Sequence, residues 1–291
     1  MHAEPTPVAL VTGTSTGIGL ESAVALAHAG MRVVATLRDL EKSDALTARA
    51  AESGATLDVR ALDVTDDAAA RACVGDVLDD YGAIDVLVNN AGAGFLGTLE
   101  QFSLDELDEV MATNFFSVAR MCQLVLPSQR AKGAGRILTV TSVGGVVGQP
   151  FNDAYCAAKF AVEGLLESLA PVAATFGIAV SIIEPGPVAT AFVDTVTKGY
   201  FGRLGEPVGD TPVEDPFAEA LGAYVGRVSQ TFSAAQSAEE VAAVIAAVAT
   251  DPAPRLRYQT SEGARQFVAP KLADLDGSAV LSITSAWVRP A

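Results

Sequence analysis

Positive charge is scarce in this chain. Its 19 Lys and Arg stand against 35 Asp and Glu, a formal net charge of −16, and so acidic a surface argues against nucleic acid or an anionic membrane as partner. Histidine is rarer, with only His2 and His28, so chemistry that rests on a positioned imidazole has little to draw on. The three cysteines, Cys73, Cys122 and Cys156, are odd in number and scattered. They offer no metal-ligand spacing and read as reduced, buried thiols of a cytoplasmic protein. No apolar stretch approaches the roughly 18 residues of a membrane span, and no apolar opening with a basic flank marks a signal peptide. Aromatics are only 6% of residues while apolar residues reach 50%, which leaves an aliphatic core large enough to cover a sheet on both faces.

What is present alternates. Short runs at 7–12 (PVALVT), 32–37 (RVVATL), 56–61 (TLDVRA), 85–88 (DVLV), 136–141 (RILTVT), 178–183 (IAVSII) and 255–260 (RLRYQT) predict seven strands. Periodic segments near 18–29, 41–53, 66–81, 103–131, 153–176, 237–250 and 262–275 predict the helices between them. The richest apolar run, VAAVIAAVAT at 241–250, follows Ser-Ala-Glu-Glu and reads as a capped, buried helix. Strict alternation implies right-handed crossovers and a doubly wound parallel sheet, an α/β architecture. Several strands are near-continuous apolar runs, as doubly buried parallel strands are. The alternation pauses once, from about 191 to 236, where Gly, Pro and acids accompany Phe192, Tyr200, Phe201, Phe217, Tyr224 and Phe232. That stretch is too long for a plain connection. The pattern then resumes, so residues 1–291 read as one domain with an insertion.

The turn behind the first strand, Thr12-Gly13-Thr14-Ser15-Thr16-Gly17-Ile18-Gly19, fits two chemistries. Its G-x-S-x-G letters match the turn that presents a nucleophilic serine. They match equally a glycine-rich turn that sets a helix N-terminus against a dinucleotide pyrophosphate. The serine needs a base, and His28 would lie some 15 Å off at the far end of the following helix, while His2 sits in a frayed terminus. No Gly-Lys-Ser/Thr follows, so a P-loop fails as well. The dinucleotide turn remains, spaced Gly13-x-x-x-Gly17-x-Gly19. Gly13 permits the sharp exit from the strand, Gly17 lets the backbone approach phosphate, and Gly19 lets the helix pack on the sheet. Ser15, Thr16 and Ile18 belong to the same candidate site.

Further motifs stand in order along the chain. Asn89-Asn90-Ala91-Gly92 follows the fourth strand, Asn114 lies in a long predicted helix, and Ser142 ends the fifth strand. Tyr155-Cys-Ala-Ala-Lys159 opens the next helix, and Pro185-Gly186-Pro187-Val188-Ala189-Thr190 follows the sixth strand. Together with the glycine turn, these resemble the short-chain dehydrogenase/reductase family over essentially residues 7–260. ATLRDL, RLRYQT and KLAD resemble further the branch that contains retinol and 17-beta-hydroxysteroid dehydrogenases. The resemblance implies a single-domain Rossmann fold with a seven-stranded parallel sheet, the 191–236 insertion forming a substrate lid. It implies an oxidoreductase that moves a hydride between nicotinamide and an alcohol or carbonyl. Tyr155 would be general acid/base, Ser142 the hydrogen-bond partner of the substrate oxygen, and Asn114 part of a proton relay through water. Lys159 would lower the Tyr155 pKa and hold the nicotinamide ribose. The charge arithmetic is adequate: working near pH 7 asks a phenol to fall by about 2–3 units, roughly 3–4 kcal/mol. An ammonium about 4 Å away supplies about 4 kcal/mol at an effective dielectric near 20. Cys156 and Phe160 beside the pair read as packing residues.

The same resemblance places Asp63 on the adenine amino group with Val64 against the ring, and Asn90, Ala91, Gly92, Pro185, Gly186, Val188 and Thr190 along the cofactor. Asp63 also reads as a neighbour of a helix N-cap. Cofactor choice turns on the end of the second strand, where a carboxylate favours NAD and a cation accommodates the 2′-phosphate of NADP. Leu37 stands where NAD-selective members carry their acid, and Arg38 follows, so NADP(H) is the preferred cofactor, with NAD(H) left open because Asp39 can pair with Arg38. The insertion's aromatics and few cations (Lys198, Arg203, Arg227) suit a small hydrophobic substrate, retinoid-, steroid- or lipid-like; equally, the aromatics can close the core of the lid. A 3-oxoacyl thioester reductase is the alternative, with Arg130, Lys132 and Arg136 as the only basic docking cluster. A non-catalytic dinucleotide sensor is the other. Apolar residues of the helices 103–131 (Phe115, Phe116, Met121, Leu124, Leu126) and 153–176 (Val162, Leu165, Leu166, Leu169) exceed one core-facing stripe each, which implies a homodimer or homotetramer. The alternative is that all of them face their own core.

Overall fold

The computed structural model describes residues 5–190, 215–232 and 235–273, with single positions at 196, 200, 278, 282, 283 and 286. Seven strands form one sheet: β1 (Val8–Thr12), β2 (Arg32–Leu37), β3 (Leu57–Ala61), β4 (Val86–Asn89), β5 (Gly135–Val140), β6 (Ile178–Glu184) and β7 (Arg257–Gln259). Their order is β3-β2-β1-β4-β5-β6-β7, every pair parallel. Parallel pairing demands a crossover at each step, and the helices supply it: α1 (Gly17–His28), α2 (Asp44–Ser53), α3 (Asp67–Tyr81), α4 (Leu104–Met111), α5 (Ser117–Lys132), α6 (Asp153–Ala174), α7 (Ala218–Phe232), α8 (Ala238–Thr250) and α9 (Glu262–Ala273).

The two-residue period of the strands divides the core into two layers. Leu10, Leu87, Ile137 and Ile182 point to one face, where Val118, Met121 and Val125 of α5 and Val162 and Leu166 of α6 cover them. Ala9, Val11, Val88, Leu138 and Ile183 point to the other, under Leu20, Ala23 and Leu26 of α1 and Val241, Ile245 and Val248 of α8. Each fully buried Leu or Ile contributes about 1.5–3 kcal/mol of transfer free energy. The predicted capped helix at 237–250 is α8, whose Ser237 and Glu240 form a capping box. All three cysteines are unpaired and buried. Among the described residues no helix is long and apolar enough to cross a membrane, and no cluster of His, Cys, Asp and Glu could hold a metal.

Three departures from the sequence reading have physical causes. The single helix expected over 103–131 is two helices joined by a π turn at Ala112–Phe116, where Asn114 donates its amide to the Val110 carbonyl at 3.0 Å. Strand β7 is shorter than 255–260 because the Arg255 amide turns to the Tyr258 hydroxyl (2.7 Å). Within the insertion, for which the sequence names no helix, 218–232 forms α7. The strand order reverses between β1 and β4, which opens a crevice at the C-terminal edge of the sheet, the place where open α/β sheets take their ligands.

Candidate active site

At that crevice the glycine turn leaves β1 with Gly13 at φ 71° and Gly17 at φ 59°, in the left-handed region that a side chain disfavours. The turn is folded back on itself. A Cβ on Gly19 would stand 2.2 Å from the Gly13 carbonyl oxygen and 2.3 Å from Asn90 Nδ2, and one on Gly13 would stand 2.8 Å from Ala91 Cα. Thr12 and Asn90 make this geometry. The Thr12 hydroxyl oxygen accepts from the Asn90 and Ala91 amides, both at 3.0 Å. Asn90 Nδ2 in turn donates to the Thr12 and Gly13 carbonyls, both at 3.0 Å. Thr12 drew no notice in the sequence; its signal was a hydroxyl at the last position of an otherwise aliphatic strand.

Helix α1 then begins at Gly17 with no side chain capping it and no acid in its first turn. A helix start of that kind suits a phosphate, whose charge the exposed amides and the dipole both favour. Ser15 is half-buried and Thr16 exposed, while Ile18 packs against the core under α1. Thr190 reaches across, its Cγ2 3.1 Å from where a Gly17 Cβ would be. The segment leading to Thr190 is anchored: Pro185 accepts from the Val143 amide at 3.0 Å, Gly186 backs onto Ala264, and Val188 bridges to Gln236. A dinucleotide fits this cradle, and no residue of the predicted turn is displaced from it.

Arg38 is exposed at the end of β2 and makes no hydrogen bond or ion pair among the described residues. Asp39 does not take it. That carboxylate accepts from the Glu41 amide at 3.1 Å and pairs with Lys42 at 3.5 Å. Asp63 accepts from the Thr65 amide and hydroxyl at 2.9 and 2.7 Å. These bonds, aided by the fields of Arg38 and Arg120, hold its carboxyl below the usual range. The N-cap of α3 is Asp66. Val64 is buried and its carbonyl accepts from Arg120 at 2.7 Å.

The edge of β5 faces α6. Ser142 accepts from the Gly144 amide at 3.0 Å, and its hydroxyl hydrogen-bonds Tyr155. Lys159 is 5% exposed and donates to the Val140 carbonyl at 3.1 Å, its Nζ 5.7 Å from the centre of the Tyr155 ring. Burial pushes the Tyr155 phenol up to about 12 against the opposing Ser142 bond, and burial pulls Lys159 down to about 8 against the field of Glu163. The depression of Tyr155 expected from Lys159 is not found: the ammonium is turned to the Val140 carbonyl, and desolvation of the phenol outweighs the Ser142 bond. Asn114, fully buried in the π turn, accepts from the Ala93 amide at 3.2 Å and donates to its carbonyl at 2.9 Å. Asn114 and Lys159 converge on one point, since a Cβ at Gly92 would lie 3.0 Å from Asn114 Oδ1 and 3.6 Å from Lys159 Nζ.

Three of the insertion's six aromatics fall within the described residues with their side chains. Tyr200, Tyr224 and Phe217 pack with Leu96 and Phe151 in a small core of their own, which is the lid-closing alternative. Tyr200 and Gln101 both bond Asp215, at 2.9 and 3.2 Å, and Asn152 donates to Tyr224 at 2.6 Å. Phe192, Phe201, Lys198, Arg203 and the side chain of Phe232 lie outside the described residues. The basic cluster is also engaged. Lys132 pairs with Asp85, Arg136 donates to the Val248 carbonyl at 3.4 Å, and Arg130 lies 5.9 Å from the centre of the Phe176 ring.

A parallel sheet that reverses order beside a glycine turn defines a Rossmann-type α/β protein. The family model described as short chain dehydrogenase matches residues 7–200. Human 17-beta-hydroxysteroid dehydrogenase type 1 is 41% identical over 279 residues, covering 93% of this chain and 82% of the relative. Bovine (Bos taurus) retinol dehydrogenase 8 is 41% identical over 278 residues, covering 92% and 86%. Among solved structures, a single-substitution variant of actinorhodin polyketide ketoreductase with NADPH superposes with a TM-score of 0.74 at 30% identity, covering 91% of this chain and 99% of that one. The chain belongs to the short-chain dehydrogenase/reductase family, and it is an NAD(P)-dependent oxidoreductase nearest the retinol and hydroxysteroid dehydrogenase branch.

Proposed function

We propose that the protein reduces a hydrophobic carbonyl compound, retinoid-, steroid- or lipid-like, with NADPH, and oxidises the matching alcohol in reverse. The observation that carries this reading is the convergence of Ser142, Tyr155 and Lys159 beside the glycine turn. A bound nicotinamide supplies or accepts the hydride; the chain supplies the rest. Gly13, Ser15, Thr16, Gly17, Ile18 and Gly19 would cradle the pyrophosphate, Asp63 and Val64 the adenine, and Ala91, Gly92, Val188 and Thr190 the nicotinamide half. Asn90 acts one step removed, by fixing the Thr12 and Gly13 carbonyls. The Tyr155 hydroxyl donates its proton to the substrate oxygen while Ser142 holds that oxygen in line. A phenol kept protonated by burial is suited to this acid role. Lys159 grips the ribose and, with Asn114, passes the replacement proton through water.

NADP is favoured because Arg38 stands exposed while Asp39 is occupied by Lys42 and the Glu41 amide. The guanidinium is thereby left to a 2′-phosphate. The substrate class rests on the relatives' names. The thioester alternative draws less support, since Lys132 already pairs with Asp85 and Arg136 donates to the Val248 carbonyl. NADPH consumption with a 17-ketosteroid, retinal and an acetoacetyl thioester tests the class: turnover of the thioester alone would overturn it. Arg38→Asp tests the cofactor. Like-charge repulsion should weaken NADP binding at least tenfold relative to NAD, and an unchanged ratio of dissociation constants would remove Arg38 from the 2′-position.

A further inference from the structure

Val140, the last residue of β5, and the two residues after it hold three successive turns of α6. The Val140 carbonyl accepts from Lys159 at 3.1 Å, the Thr141 hydroxyl donates to Glu163 Oε1 at 2.6 Å, and Ser142 meets Tyr155. Tyr155, Lys159 and Glu163 are spaced four apart and so share a helix face. Glu163 is only 5% exposed, as is Lys159. Opposite them Gly145 admits the helix, for a Cβ there would stand 3.0 Å from Glu163 Cγ and 3.2 Å from its Oε1. On its other side Glu163 meets Arg257 of β7. The same guanidinium bonds Glu184 at 2.9 Å and Glu167 at 2.7 Å, and Glu184 takes a further bond from Gln259 at 2.7 Å. The charged groups around Glu163 are therefore Lys159 and Glu167 from its own helix, Glu184 from β6 and Arg257 from β7, with Thr141 the polar contact from the residue after β5.

None of the roles assigned above explains a carboxylate in this place. Burying one costs free energy unless its charge is matched, and Arg257 is shared with two other acids. Burial, with the field of Glu184, pushes the Glu163 carboxyl up to about 7 against the Thr141 and Arg257 bonds. Its field is also what raises Lys159 against desolvation. A buried lysine left to desolvation alone discards its proton, and a neutral Lys159 could not hold a replacement proton for Tyr155.

We propose that Glu163 is a positioning residue of the active site, a buried carboxylate that keeps Lys159 charged and ties the helix bearing Tyr155 to strand β7 through Arg257. It acts through Lys159 and touches neither substrate nor cofactor. The inference rests on Tyr155 and Lys159 being the acid/base pair, so its test must stand apart from theirs.

The test is a carbon-13 NMR titration of the lysine Cε signals in the full-length protein without added ligand. There are five lysines, and the signal lost in Lys159→Arg identifies the one that matters. Glu163→Gln preserves shape and the Thr141 bond but removes the charge, so the Lys159 midpoint should fall by at least about half a pH unit. Glu163→Asp, which keeps the charge, should return it towards wild type. An unmoved midpoint in folded Glu163→Gln, with only a lower melting temperature, would make Glu163 a structural residue and overturn the proposal. Should that variant not fold, Thr141→Val carries the same test. Loss of the hydrogen bond raises the Glu163 pKa, so Lys159 should again titrate lower, and no movement there overturns the idea equally. In turnover with NADPH and the active ketone of the panel, the alkaline limb of the pH profile should move down with the Lys159 midpoint. A limb that stays put while that midpoint falls would also overturn the proposal. Retained turnover in Tyr155→Phe would sink the acid/base reading and leave the NMR result standing. An unmoved Lys159 midpoint beside an inactive Tyr155→Phe would sink only the role of Glu163.

Discussion

At the scale of single residues, burial and charge compete within one cluster, and the outcome differs from side chain to side chain. Tyr155 and Lys159 stand one helical turn apart, yet the first is held protonated and the second is drawn towards losing its proton by the same desolvation. The spacing of the pair could be read from the sequence, because residues four apart on a helix must share a face. The separation of 5.7 Å between ammonium and ring centre could not. Nor could the choice of Val140 as the ammonium's partner, which depends on how the strand meets the helix. Tyr155→Phe keeps the ring that packs against Phe95 and Ala158 and removes the proton donor. Turnover should drop by about 10²–10⁴-fold while the NADPH dissociation constant stays within about twofold of wild type. A Phe variant with more than a tenth of wild-type activity would contradict the assigned mechanism.

At the scale of elements, the strands were legible because both of their faces are buried, so an uninterrupted apolar run marks each one. Strand β4 begins one residue later and β5 one residue earlier than the apolar runs suggest, at Val86 and Gly135. The π turn was not legible, since Asn114 within it bonds Ala93, 21 residues away, as well as the Val110 carbonyl. Glu163 was missed for a related reason. An acid at the third turn of an apolar helix face was visible, but its partners Thr141 and Arg257 come from two separate strands. The glycine turn was legible in spacing and partly in purpose. Gly19 faces the Gly13 carbonyl and Asn90 rather than the sheet at large. Gly19→Ala therefore forces two backbone segments apart, and overpacking of this kind costs about 1–3 kcal/mol. Melting temperature should fall, and NADPH affinity, followed by nicotinamide fluorescence, should fall at least tenfold. Wild-type affinity in a folded Gly19→Ala protein would show that this turn is not the phosphate cradle.

At the scale of the whole molecule, the question is what covers the outer faces of α4 to α6. Most of the apolar residues that suggested an interface turn inward instead. Met121, Val162 and Leu166 are buried in the sheet-facing core, with Phe115, Leu124, Leu126 and Leu169 packed against it. What remains outside is narrower. Phe116 is 52% exposed at the end of the π turn and Phe160 is 38% exposed on α6, the two elements being packed on each other. Leu104, at the start of α4, is exposed as well. Exposed aromatic rings on two packed elements of an acidic molecule are an unfavourable arrangement for a lone protomer and a natural seam for a two-fold pair. The expectation is a homodimer or homotetramer built on this seam. Light scattering at micromolar concentration should give a multiple of 29.8 kDa, and Phe116→Glu with Phe160→Glu should reduce it to the protomer mass, because buried carboxylates facing each other across a two-fold axis repel. A wild-type mass near 29.8 kDa would end the proposal of an oligomer. A multimer that survives the double substitution would place its interface on another face of the molecule.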